Sequence, residues 1–147
     1  ISASTIFKEF ILVNLDYEII DYSSINIMSA NYNFIDENNN INDYFEKKNN
    51  FRIGTEIQLG NILTGFKGFK ARCGYARYGS PYKEKDFSTE NFSFGIGSSW
   101  KNGYFTDLAY LLSQKQDEYL LYSEDYIDPI DIINTDHNII ITLGVRY

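Results

Sequence analysis

The sequence is poor in the residues that build several common kinds of functional site. Its 147 residues contain one Cys, one His, one Trp and two Pro. A single cysteine, Cys73, excludes an intramolecular disulfide and a cysteine-based zinc site, and His137 has no partner at a recognisable metal-ligand or catalytic spacing. Nucleophile-elbow and phosphate-loop motifs are absent, and Gly95 and Gly97 fit a strand better than a dinucleotide-binding turn. We therefore predict no enzyme activity, no metal and no cofactor.

Long apolar runs and basic clusters are also lacking. The longest apolar runs are only a few residues, whereas a transmembrane helix needs about 20. The net charge is −7, and the few Lys and Arg residues are scattered, so nucleic acid is not an expected partner. The sequence opens at Ile1 with neither an initiator Met nor a signal segment, which we interpret as a piece of a longer protein.

The sequence is rich in residues that suit strands, and they alternate. Aromatic residues form 17% of the chain, with 13 Tyr and 11 Phe. The alternation is clearest between residues 137 and 147, where a period of two indicates a strand with one apolar and one mainly polar face. The apolar face of this segment consists of Ile139, Ile141, Leu143, Val145 and Tyr147.

The same pattern predicts six strands along the chain. They cover residues 8–26, 50–59, 67–78, 90–100, 103–113 and 136–147. Long polar connections near 27–49, 79–89 and 114–135 alternate with short ones at 60–66 and 101–103, and a short helix is possible through 41–48. Short turns on one side and long loops on the other are typical of outer-membrane barrels. We predict an all-β, antiparallel transmembrane β-barrel in which residues 1–147, as one domain, supply about six C-terminal strands.

A soluble β-sandwich or a lipocalin-like barrel is the alternative fold. Three features count against it. The strands are longer than the usual five or six residues, charges lie where a small soluble barrel needs a core, and Tyr and Trp gather near strand ends, as in the aromatic girdles of membrane barrels. The residues near strand ends are Tyr22, Tyr78, Trp100, Tyr104 and Tyr147.

The polar face of the predicted strands carries charges that can neighbour one another across the sheet. Those residues are Asn14, Asp16, Glu18, Arg52, Glu56, Lys70, Arg72 and Asp107. Two interpretations stay open. The charges either pair with one another along the inner wall of a barrel, so that none lacks a partner, or they form a lining that guides and binds cargo. The candidates for ligand binding are Asp16, Glu18, Arg52, Glu56, Arg72 and Asp107.

Several segments resemble the C-terminal half of the FadL-type outer-membrane transporters, most of all the versions found in Bacteroidetes. They are residues 15–23, 50–56, 72–82, 94–97, 105–110 and 143–147. The tyrosine-rich Gly-Ser-Pro-Tyr segment at 79–82 is the more specific of these, whereas the terminal aromatic pattern is shared by many outer-membrane barrels. Cys73 departs from the small residue expected at a lipid-facing position.

The resemblance implies a bacterial outer-membrane protein that passively transports long-chain fatty acids or similar hydrophobic molecules. Family members have a barrel of about fourteen strands with an N-terminal plug, so the implied partners are outer-membrane lipid, a hydrophobic cargo, and the rest of the barrel or another chain. The terminal strand resembles the signal that barrel-assembly machinery reads, which gives Tyr147 a role in assembly. The alternative function is a structural or partner-binding barrel without transport, whose acidic loop around 116–128 binds a protein.

Overall fold

The computed structural model describes residues 1–61, 68–83, 87–100, 103–119 and 129–145. Within them lie the strands β1 (Ser2–Phe7), β2 (Ile11–Asp21), β3 (Lys47–Gln58), β4 (Phe69–Tyr78), β5 (Thr89–Ser99), β6 (Tyr104–Tyr119) and β7 (Ile130–Val145). The helix α1 (Ile35–Tyr44) lies between β2 and β3, and a single 3-10 turn (Leu59–Asn61) follows β3. Among the described residues, no helix is long and apolar enough to cross a membrane.

All the described strands form one sheet, and each pairs antiparallel with its neighbours in the sequence. The spatial order is β1-β2-β3-β4-β5-β6-β7, so the chain runs up and down without a crossover. The prediction of an all-β antiparallel fold is confirmed. Within the described residues β1 and β7 form the two edges of the sheet, because β1 pairs with β2 and β7 with β6.

The predicted strand at 8–26 contains β2 (Ile11–Asp21) but extends five residues too far, and β1 (Ser2–Phe7), which a tight turn separates from β2, was not predicted. The backbone N–H of Phe10 donates to the carbonyl of Phe7 at 3.2 Å. Lys8 and Glu9 between them have φ angles of 47° and 64°. Lys8, Glu9 and Phe10 lie between the paired residues Phe7 and Ile11. Positive φ angles at both central positions of a tight turn are typical of type I′, which normally uses Asn and Gly. Neither residue stands here, so the sequence carried no turn signal.

The predicted long connection at 114–135 is also largely wrong. β5 stops pairing with β6 at Thr89 and Lys115. β6 and β7 continue together for four more residue pairs, as far as Tyr119 and Ile130, and form a two-stranded ribbon beyond the sheet. Both faces of this ribbon carry polar side chains, so no alternation reveals it. His137, expected at a junction between loop and strand, lies inside β7 instead.

Of the remaining predicted strands, 50–59, 67–78 and 90–100 agree with the structure within three residues at each end, whereas β6 and β7 each extend six residues beyond the predictions 103–113 and 136–147 on the side of the ribbon. The short connections close with glycines in a left-handed conformation, Gly68 at φ 85° and Gly103 at φ 87°. A Cβ at Gly68 would overlap the carbonyl oxygen of Ser99, so the hairpin geometry requires glycine there. Most of residues 60–66 and 101–103 lie outside the described residues.

The helix begins earlier than the possible helix at 41–48. α1 has Asp36 and Glu37 in its first turn, where negative charge is favourable. The backbone of Ile27 holds the side chain of Asn38 by two hydrogen bonds, of 2.8 and 3.1 Å. An isolated β-bridge between Phe45 and Tyr82 then joins the connection that contains α1 to the one between β4 and β5. Two of the predicted long connections are thus tied to each other.

Neither face of the sheet is covered by a second layer of described residues. No hydrophobic side chain among them is buried, and large apolar side chains are exposed along the strands. A soluble domain normally buries one face of a sheet against another element. The sheet therefore has two distinct faces but no core of its own within the described residues.

Candidate functional site

The strand register puts the predicted charged residues on one face of the sheet. Asp16 pairs with Arg52, and Glu56 pairs with Arg72. Asp107 on β6 pairs with Gly97 on β5, the strand that separates it from Arg72 on β4. Since alternate residues share a face, the whole set lies together. We call this surface the charged face; it carries Asn14, Asp16, Glu18, Arg52, Glu56, Lys70, Arg72 and Asp107. Their expected placement on a common face is confirmed.

Arg72 lies at the centre of one ion-pair cluster. Its Nε donates to Oε2 of Glu56 at 2.7 Å, and its Nη1 donates to Oδ1 of Asp107 at 2.7 Å. Lys70 Nζ contacts the other oxygen of Glu56 at 3.0 Å. Glu56 thus accepts from two cations, while the guanidinium of Arg72 joins carboxylates from β3 and β6. Charge-assisted hydrogen bonds of this kind are stronger than neutral ones.

Arg52 forms a second cluster about one strand away. Its Nη2 donates to Oε2 of Glu18, and its Nε lies 3.0 Å from Oδ2 of Asp16, an ion pair without hydrogen-bond geometry. Asn50, only 3% exposed, donates to the same Glu18 oxygen at 3.0 Å. The ring of Tyr78 lies 5.6 Å from the guanidinium carbon, within the range of a cation–π contact. Arg52 does not flank Arg72, since its partner on β4 is Ala76.

Glycines between the charged residues let the long side chains lie flat across the sheet. A Cβ at Gly97 would overlap the carboxylate of Asp107 and would lie 3.5 Å from Nη1 of Arg72. A Cβ at Gly54, on the same face, would meet only the carbonyl oxygen of Cys73 at 3.9 Å. The cluster therefore requires glycine at position 97, because a side chain there would occupy the place of the Asp107 carboxylate. From the sequence alone, Gly97 was expected only to be a small residue on a strand.

A concavity of about 350 Å³ lies on the charged face between the two clusters. Gly54 and Gly74 form its floor, because neither has a side chain to fill it. Its polar lining includes Asn14, Asp16, Arg52, Tyr78, Asn91 and Ser93. The side-chain oxygen of Asn91 is buried and has no hydrogen-bond partner among the described residues. The sequence does not single out Asn91, because an Asn in a strand carries no distinctive signal.

The opposite surface, which we call the apolar face, is continuous across the described strands from β2 to β7. One row across the sheet, in strand order, consists of Ile11, Ile57, Ala71, Ile96, Leu108 and Ile141. Cys73 lies on this face and is exposed. Trp100 and Tyr104 are at strand ends, as expected, but Tyr78 contacts Lys48 and Arg52 on the charged face. Tyr147 lies outside the described residues.

His137 contacts Tyr110 on the apolar face. The hydroxyl oxygen of Tyr110 lies 2.7 Å from Nδ1 of His137. Among the described residues, no group of three or more His, Cys, Asp or Glu side chains is placed to hold a metal ion. The contact ties β6 to β7 and offers no catalytic arrangement by itself.

Comparison of the chain with protein-family models, with curated proteins and with solved structures finds no match in any of the three.

Proposed function

We propose that this chain forms part of the wall of a bacterial outer-membrane β-barrel, through which hydrophobic small molecules such as long-chain fatty acids pass passively. In this proposal the apolar face contacts lipid, the charged face lines the interior, and no chemical step occurs. Hydrophobic cargo and the rest of the barrel are the partners.

One observation carries the proposal: the sheet exposes a continuous apolar face on one side and an ion-paired face on the other. Such a sheet suits a boundary between hydrocarbon and water, where strands alternate apolar-out and polar-in. The strands β2 to β5 have 10 to 12 residues, and a tilted strand of about 9–11 residues crosses a bilayer. The connection between β2 and β3 is long. The connection between β5 and β6 is short, and the backbone N–H of Trp100 donates to the carbonyl of Tyr104 across it.

Neighbouring residues of β7 give a direct test. Ile140 is on the charged face and Ile141 is on the apolar face, and they are 53% and 68% exposed. In the complete protein, Ile141→Arg should sharply reduce the amount of folded barrel in outer membranes, since Arg on a lipid-facing position costs about 2–4 kcal/mol at mid-bilayer. Ile140→Arg, which adds the same charge one residue away, should have little effect. Equal assembly of both variants would contradict the proposal.

Transport itself needs a second measurement. Cells that express the complete protein should take up a radiolabelled hydrophobic probe faster than cells with an empty vector, after normalisation to folded barrel. Assembly without faster uptake would support a barrel that does not transport.

The ribbon beyond the sheet favours the second candidate, a barrel that binds a protein partner. It carries the acidic residues Asp117, Glu118 and Asp131, with Tyr119 and Ile130 exposed beside them. Mixed acidic and apolar surfaces of this kind suit a basic partner. Co-purification of a stoichiometric protein that Asp117→Lys and Asp131→Lys release, without any uptake of probe, would support this function.

A further inference from the structure

The cations of the charged face are already engaged by carboxylates. Arg72 donates to Glu56 and Asp107 at 2.7 Å each, and Lys70 lies 3.0 Å from Glu56. Arg52 contacts Asp16 and Glu18. A carboxylate on a ligand would have to displace one of these groups, or approach an arginine whose positive charge is already balanced.

The charged face of the sheet is also electrically balanced. Outside the ribbon, its described strands carry five carboxylates and five cations, which gives a net charge of zero. The carboxylates are Asp16, Glu18, Glu56, Asp107 and Asp136, and the cations are Lys48, Arg52, Lys70, Arg72 and Lys115. The opposite charges offset one another's attraction for a charged ligand. The face therefore offers no net electrostatic attraction to an acid.

The concavity between the clusters offers a hydrogen-bond acceptor instead. The side-chain oxygen of Asn91 is buried and has no hydrogen-bond partner among the described residues, and Asn91 lines the concavity beside Asp16. A buried acceptor without a partner is unfavourable, and a ligand hydroxyl that donates to it removes this cost. A hydroxyl can donate such a bond, whereas an ionised carboxylate only accepts.

We propose that the charged face selects hydrophobic cargo with an uncharged, hydrogen-bond-donating headgroup, of which a long-chain primary alcohol is the simplest example, and disfavours the corresponding acid. This rests on the proposed transport function and narrows its substrate class, since long-chain fatty acids, the example given there, become the disfavoured cargo. The alkyl chain is common to both molecules, so the headgroup alone decides between them. Asp107 keeps Arg72 occupied, and Oδ1 of Asn91 accepts a hydrogen bond from the hydroxyl.

The experiment compares uptake of palmitic acid and of the alcohol of equal chain length, each radiolabelled, in cells that express the complete protein. Uptake is normalised to folded barrel. The unmodified protein should take up the alcohol faster than the acid at neutral pH, by on the order of fivefold for one unfavourable charge interaction. Equal rates, or faster uptake of the acid, would overturn the inference while leaving transport intact. Absence of uptake of either probe by an assembled barrel would overturn the transport function and the inference together.

Two variants assign the selectivity to residues. Asp107→Asn removes the carboxylate that occupies Nη1 of Arg72, so uptake of the acid relative to the alcohol should rise about fivefold. Asp117→Asn makes the same charge change in the ribbon, beside Lys115 at 2.9 Å, and should leave the ratio unchanged. Asn91→Ala should slow uptake of the alcohol and leave the acid unaffected. Identical ratios in all variants would overturn the assignment, and the comparison in the unmodified protein tests the selectivity even if a variant does not assemble.

Discussion

Arg72 and Asp107 are two strands apart, yet the guanidinium Nη1 donates to Oδ1 at 2.7 Å over the backbone of β5. Gly97 makes this possible, because its missing side chain leaves the space that the carboxylate of Asp107 occupies. The bond joins β4 to β6 through side chains alone, in addition to the backbone ladders on either side of β5.

Gly97→Ala should therefore destabilise the sheet more than an ordinary Gly→Ala change in a strand. The new methyl group displaces the carboxylate of Asp107 and breaks its bond to Arg72, with an expected loss of about 1–2 kcal/mol. Gly54→Ala is the matched control, since its Cβ would meet the nearest atom at 3.9 Å. Urea midpoints of the complete protein in detergent measure both, and equal midpoints would contradict the geometry.

Arg72→Ala should lower stability without changing uptake of an uncharged cargo per folded molecule. The substitution removes the guanidinium from both Glu56 and Asp107. Glu56 keeps its contact with Lys70, whereas Asp107 loses its bond, so at these partly exposed positions we expect a cost of about 1 kcal/mol. Lys70→Ala should cost less, because Glu56 keeps its 2.7 Å bond to Arg72. A slower uptake of the alcohol at unchanged folded amount in Arg72→Ala would instead assign Arg72 a binding role.

The turn between β1 and β2 should be improvable. Lys8 and Glu9 hold positive φ angles of 47° and 64°, a conformation that costs an ordinary residue about 1–2 kcal/mol. The double change Lys8→Asn with Glu9→Gly supplies the usual residues of this turn and should stabilise the protein by about 1 kcal/mol or more. Lys8→Ala with Glu9→Ala removes the same charges and keeps the strain, so stabilisation by that control as well would point to charge rather than conformation.

Much of the sheet was predictable because its strands alternate between an apolar face and a charged face. Residues such as Ile139 and Ile141 on one side, and Arg52 and Glu56 on the other, place whole strands on the correct faces by period alone. The same alternation placed Arg72 and Asp107 on a common face. It could not predict their contact, because that depends on register and on the space above Gly97.

The errors have equally specific causes. The turn at Lys8 and Glu9 uses residues that rarely adopt positive φ, so no hairpin was expected there and β1 was not predicted. Each face of the ribbon at Tyr119 and Ile130 mixes polar and apolar side chains, so its strands appeared as loop. Asn91 became a candidate only when register placed it beside the glycine floor of the concavity.

Strand direction leads to a prediction about how the sheet is completed. The described strands alternate in direction from β1 to β7, so these two edge strands run the same way. If they paired directly, they would form a parallel junction in an otherwise antiparallel sheet. Two copies of the sheet arranged around a common barrel axis would meet in the same unfavourable way. A barrel closed by antiparallel pairs alone contains an even number of strands.

Other polypeptide should therefore supply an odd number of strands between β7 and β1. The backbone N–H and C=O groups along an open edge find no hydrogen-bond partner in lipid, so both edges have to be paired. A structure of the complete protein in a lipid nanodisc would count them directly and show whether both junctions are antiparallel. Hydrogen exchange gives an independent readout: amides on the outer edges of β1 and β7 should be protected in the complete protein, as those of central strands are. A direct pair between β1 and β7, an even number of added strands, or rapid exchange along either edge would show that the sheet is not closed in this way.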